Sequence, residues 1–331
     1  MSAPHIWIVS PASARANNGN WQSASRWARF LRTRYRVSIS QQWPESGKQR
    51  DEQAPPDLLI ALHARRSAPS LDAYARAFPQ RPSILLLTGT DLYRDIQTDA
   101  SAQQALRQAS ALVLLQPAGM DALPAPLRAK ASVIFQSAAT LKPAAPANKR
   151  HQDVVMIGHL RSEKDPLTFM RAAALVAAPM ARLVHIGGAL EPALEQAALA
   201  TAAAHPRYRW LGALPHAATR QRLKRSLLMA IASHMEGGAN VIIEAVCSGV
   251  PVLASDISGN HGMLGDDYAG YFPAGDAAAL ARLIDRALDE PDFYTLLRAQ
   301  CDARRPLFSP AAEQTALLEL VDNLLQKAKQ G

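Results

Sequence analysis

Short apolar runs of four or five residues recur along the chain, each closed by small or polar turn residues and most followed by a stretch with apolar positions at helical spacing. Residues 6–9 (Ile-Trp-Ile-Val) end in Ser10-Pro11, the pattern of a strand buried on both faces of a parallel sheet. A loop of small and polar residues over 12–20 follows, containing Asn17-Asn18-Gly19-Asn20. It leads into a helix with Trp21, Ala24, Trp27, Ala28 and Leu31 on one face. Further strands are predicted at 58–62, 84–87, 112–115 and 133–135. Repeated strand–loop–helix units imply an α/β, doubly wound sheet.

Periodicity lapses over 138–152, where Lys142, Pro143 and Pro146 sit among alanines, and this stretch reads as an interdomain linker. A second series then begins, with strands predicted at 154–157, 183–186, 209–211, 227–231 and 252–254 and an alanine-rich helix over 192–204. The chain closes with a helix over 311–329 whose apolar set is Leu317, Leu318, Leu320, Val321 and Leu325. The expected organisation is a Rossmann-like domain at 1–140, a second at 150–305, and a segment at 306–331 that packs back toward the first.

Composition fits this plan and removes other classes. A chain of 331 residues with 48% hydrophobic content is long enough for two cores. The net charge of +8 calls for anionic partners, but the basic residues are scattered and no basic block is interleaved with aromatics, so small phosphates are expected and nucleic acid is not. Only Cys247 and Cys301 occur, which excludes a disulfide framework and suits a reducing compartment. The apolar stretch at the amino terminus is too short for a signal peptide and no run approaches membrane-spanning length. A cytoplasmic protein is expected. Arg26, Arg29, Arg32 and Arg34 read as a solvated helix face rather than a membrane grip, because Trp27 belongs to the core stripe. No metal is expected: the histidines lack HxH and HExxH spacing, and Asp266-Asp267, the only Asp-Asp pair, sits in a turn-like stretch.

In a doubly wound sheet ligands bind outside the carboxyl ends of the strands, so the loops there carry the chemistry. The richest is Ser233-His234-Met235-Glu236-Gly237-Gly238-Ala239-Asn240-Val241, in which a strand ends, glycines free the backbone and a helix starts near Asn240. The amides of that helix start suit a phosphate. Glu236 before the helix and Glu244 within it are two acceptors suited to the hydroxyls flanking a bound diphosphate. The simpler alternative, a capping box of Ser233 and Glu236, is weakened by the two glycines that follow, since such a Glu belongs inside its helix.

Glu236-x7-Glu244 followed by Gly249-Val250-Pro251-Val252 resembles the signature of the large, mostly retaining GT-B glycosyltransferase family, which implies two Rossmann-like domains facing a central cleft and a UDP-sugar donor. The resemblance puts Glu236 near the transferred sugar, Glu244 on the ribose, and the amides of Gly237, Gly238, Ala239, Asn240 and Val241 on the phosphates. The family's other donor motif is Gly-Arg-Leu followed by Glu-Lys, and this chain has Gly158-His159-Leu160-Arg161-Ser162-Glu163-Lys164. Lys164 matches the lysine that neutralises the diphosphate, while either His159 or Arg161 supplies the second donor. No cofactor beyond the UDP-sugar substrate is implied.

A narrower resemblance covers nearly the whole chain. Ser10-Pro11, Asn17-Asn18-Gly19-Asn20-Trp21, Leu62-His63-Ala64-Arg65-Arg66-Ser67-Ala68, Leu87-Thr88-Gly89-Thr90-Asp91-Leu92-Tyr93-Arg94-Asp95 and Ser258-Gly259-Asn260-His261-Gly262 look like the selenosugar synthases of selenoneine biosynthesis. That group joins N-acetylglucosamine or glucose from a UDP-sugar to the selenium of selenophosphate. The resemblance implies acceptor contacts from Asn18, Gly19, His63, Arg65, Arg66, Thr90, Asp91 and Arg94, with Gly19 also beside the donor and His63 joining Glu236 and Lys164 in catalysis. Positive and protonatable groups beside the Asn18-Gly19 loop suit a small dianion. The competing readings are a transferase of the same fold acting on a carbohydrate, lipid or other hydroxyl, and a sugar-nucleotide sensor without activity. A dehydrogenase lacks its GxGxxG after the first strand.

Overall fold

The computed structural model describes residues 3–12, 19–44, 55–141 and 151–330. Two compact units divide the chain, one formed by residues 1–136 together with 310–331 and the other by residues 137–309. In chain order the first unit contains β1 (His5–Val9), α1 (Gly19–Leu31), β2 (Arg36–Ser40), β3 (Leu58–Leu62), α2 (Ala64–Ala77), β4 (Ser83–Leu86), the single turn α3 (Ile96–Thr98), α4 (Ala100–Gln108), β5 (Ala111–Leu114) and β6 (Ala131–Val133). The second contains β7 (Gln152–Ile157), α5 (Pro166–Leu175), β8 (Ala181–Ile186), α6 (Pro192–Ala204), β9 (Tyr208–Trp210), α7 (His216–Leu223), β10 (Leu228–Ile231), α8 (Asn240–Cys247), β11 (Val252–Ser255), α9 (Ser258–Leu264), β12 (Tyr271–Phe272), α10 (Ala277–Asp289) and α11 (Pro291–Arg304). The final helix, α12 (Pro310–Gln330), belongs to the first unit.

Each unit is built on a six-stranded sheet in which all pairings are parallel, with orders β2-β1-β3-β4-β5-β6 and β12-β11-β10-β7-β8-β9. Side chains alternate across each strand, so the continuous apolar runs bury both faces. Ile6, Ile8, Leu58, Ile60, Leu62, Ile84 and Leu86 meet Trp27 and Leu31 of α1, while Trp7, Val9, Leu59, Ala61, Leu85 and Leu112 meet Leu71 and Tyr74 of α2 and Leu106 of α4. These are the two α/β layers that the apolar pattern predicts. β2 escapes the sequence reading because Arg-Val-Ser-Ile-Ser is a half-exposed edge strand with too little apolar content. No helix of the described residues is long and apolar enough to cross a membrane.

α12 closes one face of the first sheet, with Leu317, Leu318, Val321 and Leu325 in the same core as Trp27. At its start the fully buried Glu313 accepts from Arg26 Nε at 2.8 and 3.0 Å and from Trp27 Nε1 at 2.8 Å. The expectation of a solvated face holds at the exposed Arg29, Arg32 and Arg34 and is corrected at Arg26. Arg26 is drawn onto a buried carboxylate that needs a cation, and Arg34 pairs with Asp322 at 2.7 Å. Breaking a buried pair from one side leaves a charge without compensation. Glu313→Leu is therefore expected to destabilise the protein by about 3 kcal/mol or more, whereas Arg34→Ala, which breaks an exposed pair, should cost less than about 1 kcal/mol. Thermal and urea unfolding of the two variants provide the comparison.

Candidate functional site

In the second unit the sequential strand order reverses at one place. β7, β8 and β9 run to one side while β10, β11 and β12 run to the other, so β7 and β10 are neighbours, with Met156 opposite Ala230. The crevice outside such a switch point is where nucleotides bind in doubly wound sheets. The loop leaving β7 carries Lys164 and the loop leaving β10 carries Glu236. A backbone bond from His234 N to Glu163 O, 3.0 Å, stitches the two loops together. Asp165 then turns the chain into α5: it adopts a left-handed conformation (φ 43°) and caps the helix by accepting from Thr168 N at 3.2 Å, with Pro166 in the first helical position.

Lys164 Nζ donates to Glu236 Oε1, which also accepts from Ser233 Oγ at 2.6 Å. Glu236 is only 8% exposed. Its support runs deeper: Ser255 Oγ donates to Ser233 O at 2.6 Å, and Asn260 Nδ2 donates to Ser255 O at 2.8 Å. Gly259 lies so close that a Cβ there would stand 2.1 Å from the Glu236 carbonyl oxygen, so only glycine fits. Ser233 and Glu236 do meet, but not as a capping box. α8 starts at Asn240, and the residue in the cap position, Ala239, offers no side-chain acceptor. A helix start without a side-chain cap, approached through Gly237 and Gly238, is open to an anion.

Glu244 lies one turn into α8 and receives His216 Nε2, from the start of α7, at 2.6 Å. That hydrogen bond raises the His216 pKa above its ordinary 6.5 despite an opposing desolvation. The charged pair is thus fully present below pH 6.5 and fades as pH rises through the raised value. His159 accepts Gly188 N–H on Nδ1 at 3.1 Å, which puts its ring proton on Nε2. It is a neutral donor where an arginine would be a cation. Arg161 stays in the same loop with its Nε buried and without a hydrogen-bond partner among the described residues.

A second cluster lies at the carboxyl ends of β3 and β4 in the first unit. His63, the residue after β3, holds a left-handed backbone (φ 73°) that a non-glycine residue rarely adopts. Its Nδ1 accepts Arg66 N at 3.4 Å, and Nε2 faces Thr90 Oγ1 at 3.4 Å and Asp95 Oδ2 at 3.9 Å. Burial lowers the His63 pKa below 6.5, outweighing Asp91 and Asp95, so the imidazole is neutral at pH 7. The positive charge instead comes from Arg65, Arg66 and Arg94, of which Arg65 and Arg94 each reach Asp95, at 3.0 and 3.4 Å. Asp91, expected among the acceptor contacts, is fully buried and accepts from Ala64 N, Thr88 N and Gly89 N, each at 2.9 Å. Its oxygens brace the two loops. Gly19 is the exposed first residue of α1, while Asn18 lies outside the described residues.

The structure thus unites Lys164 with Glu236 in one unit and His63 with Thr90, Asp91, Arg65 and Arg94 in the other. Four participants were missed by sequence reasoning: His216, Ser233 as a direct partner of Glu236, and Ser255 with Asn260 behind it. Ser233 stands at capping-box spacing from Glu236 and Asn260 lies within the Ser258–Gly262 motif, but the contacts of His216, Ser255 and Asn260 join separate elements, which spacing does not reveal.

Against known proteins, the profile of the family described as glycosyl transferases group 1 matches residues 138–304. No curated protein sequence matches the chain significantly. Among solved structures, Anabaena HepE in complex with UDP and glucose superposes with a TM-score of 0.77 at 17% identity, covering 97% of this chain and 100% of that one. Sucrose-phosphate synthase from Thermosynechococcus elongatus gives 0.74 at 16% identity over 98% and 100% of the two chains. The pneumococcal O-GlcNAc transferase GtfA in complex with UDP and GlcNAc gives 0.64 at 15% identity, over 81% of this chain and 57% of that one. These likenesses establish the shared fold, two parallel-sheet Rossmann-like domains of the GT-B kind. With the family profile spanning just over half of its length, the chain belongs to the group 1 glycosyl transferases.

Proposed function

We propose that the protein transfers N-acetylglucosamine or glucose from a UDP-sugar to the selenium of selenophosphate. The observation that carries the transfer reaction is the Lys164–Glu236 pair at the switch point, next to a helix start with no side-chain cap. Breaking the bond between sugar C1 and the UDP oxygen leaves negative charge on the diphosphate. Lys164 and the amides from Gly237 to Val241 are preorganised to stabilise it, with His159 Nε2–H and Arg161 as the further donors. Glu236 takes the sugar hydroxyls and Glu244 the ribose. That HepE was solved with UDP and glucose supports a nucleotide sugar as donor, and the resemblance of the amino-terminal motifs supports the acceptor.

At the acceptor, the C1–Se bond forms as the C1–O bond breaks, and the electron pair of the latter leaves with UDP. A selenium nucleophile is ionised before it attacks and needs no base. Arg65, Arg66 and Arg94 attract the dianion, and the neutral His63 hydrogen-bonds it without requiring a proton transfer. The second reading, a hydroxyl acceptor, requires a general base, a part His63 could take only by giving up the Arg66 amide that its Nδ1 accepts.

Lys164→Ala and Glu236→Ala are each expected to lower kcat/KM by roughly a hundredfold with the fold intact. Steady-state kinetics beside circular dichroism make the check, and a folded Lys164→Ala enzyme with unchanged kinetics would refute the diphosphate assignment.

Because Lys164 and the α8 amides supply the positive charge, turnover should persist in excess chelator. Complete loss that added magnesium restores would overturn this.

For the acceptor, Arg94→Ala should raise the selenophosphate KM far more than the UDP-sugar KM, and Lys164→Ala the reverse. Mass spectrometry of the products decides between the readings. A selenium-linked sugar supports selenophosphate, whereas UDP release with hydroxyl acceptors alone removes it and leaves the transferase standing.

A further inference from the structure

Behind the Lys164 loop stands a histidine that the proposed reaction does not use. His185, in β8, is completely buried beside Phe169 and Tyr208. Its Nε2 lies 3.0 Å from the carbonyl oxygen of Gly158 and its Nδ1 lies 3.2 Å from the Tyr208 hydroxyl. A carbonyl only accepts, so Nε2 must carry the proton, and the tyrosine O–H then donates to Nδ1. Both contacts are satisfied by this one tautomer. Burial depresses the His185 pKa to about 4, so the ring stays neutral throughout the range in which the protein works.

Gly158 is the residue on which the loop depends. The stem of Lys164 lies across it, with Lys164 Cγ 3.6 Å from the place a Gly158 Cβ would take. On the other side Gly187 packs so tightly that a Cβ there would stand 1.8 Å from the Gly158 carbonyl oxygen. The strand pairing of β7 and β8 continues past both strand ends: Gly158 N donates to Ile186 O, Leu160 N to Gly188 O, and Leu190 N to Leu160 O, at 2.9, 2.9 and 3.1 Å. Gly188 N also holds the His159 ring. The residues that the proposed function sets against the diphosphate from this loop, His159, Arg161 and Lys164, all come after the Gly158 carbonyl, His159 immediately so.

We propose that His185 is a positioning residue for diphosphate binding: with its proton on Nε2 it fixes the Gly158 carbonyl and so sets the course of the backbone that presents His159, Arg161 and Lys164. An apolar side chain at 185 would fill the space but remove the donor from a carbonyl wedged against Gly187. The loop would then relax, and its donors would miss the phosphates while the rest of the nucleotide site kept its shape. The inference rests on the donor-site reading above and carries its own test.

UDP and uridine, which differ in the diphosphate alone, are titrated by calorimetry and NMR into the full-length wild type, His185→Leu and His185→Gln. Loss of the donor should weaken UDP about tenfold in His185→Leu, the worth of one buried hydrogen bond, with uridine changed less than about twofold. Gln, whose amide N–H can reach the same carbonyl, should restore UDP binding to within about threefold. A general packing defect would instead reduce the binding-competent fraction, or weaken UDP and uridine equally, and either result overturns the assignment. So does equal UDP affinity in His185→Leu and wild type. A wild type that binds neither compound removes the donor-site reading itself. Should His185→Leu not fold, nitrogen-15 NMR of the wild-type imidazole decides: the Nε2–H tautomer, unprotonated above pH 5, is expected, and the Nδ1–H tautomer overturns the proposal.

Discussion

The second unit of this molecule depends on the buried carboxylate of Glu236 and the cation it requires. A carboxylate with so little access to water must be neutralised or hydrogen-bonded, and Glu236 is both, through Lys164 and Ser233. The partners come from loops seventy residues apart that only the order of the sheet makes neighbours. Parallel crossovers in one hand send β8 and β9 to one side of β7 and return β10 to the other. The carboxyl ends of β7 and β10 then open onto the same crevice. Under the proposed function an incoming diphosphate would find a lysine already desolvated and oriented, the condition under which a single cation gains most from charge developing on a leaving group.

Much of this was legible in the residues. The apolar runs at Ile6 to Val9, Leu58 to Leu62 and Leu228 to Ile231 are strands buried on both faces, as their shortness and the turn residues that bound them suggest. Gly237-Gly238 before an apolar helix marks, for an equally local reason, a helix start without a side-chain cap. What stayed hidden was decided by tertiary contact. Arg26 reads as surface in a helix whose only charged residues are arginines, yet Glu313, nearly the length of the chain away, draws it inward. His216 and Ser255 have no local signature, because the hydrogen bonds that enlist them cross between separate elements.

Electrostatics also distinguishes the two clusters. The site in the second unit joins its lysine to a glutamate and adds backbone amides, so its positive potential is held mainly by dipoles that cannot reorganise. The cluster in the first unit sets three guanidinium groups against two carboxylates, and one of those carboxylates, Asp91, is fully engaged by backbone amides. Arg65 and Arg94 share Asp95 while remaining about half exposed, so a small anion can meet them without first breaking a buried pair.

The conformation of His63 follows from the same arrangement. A left-handed backbone at a bulky residue is costly and persists only where its surroundings over-determine it. Here Asp91 bonds the Ala64 amide immediately after it, His63 N bonds Leu86 O at 2.9 Å, and the ring itself accepts the Arg66 amide. Each constraint acts on the first turn of α2. The strain therefore serves to keep a desolvated, neutral imidazole at the mouth of β3 with Nε2 toward Thr90 and Asp95, where a cationic ring would bind Asp95 and draw it from Arg65 and Arg94. Keeping His63 uncharged is what leaves Asp95 paired with Arg65 and Arg94.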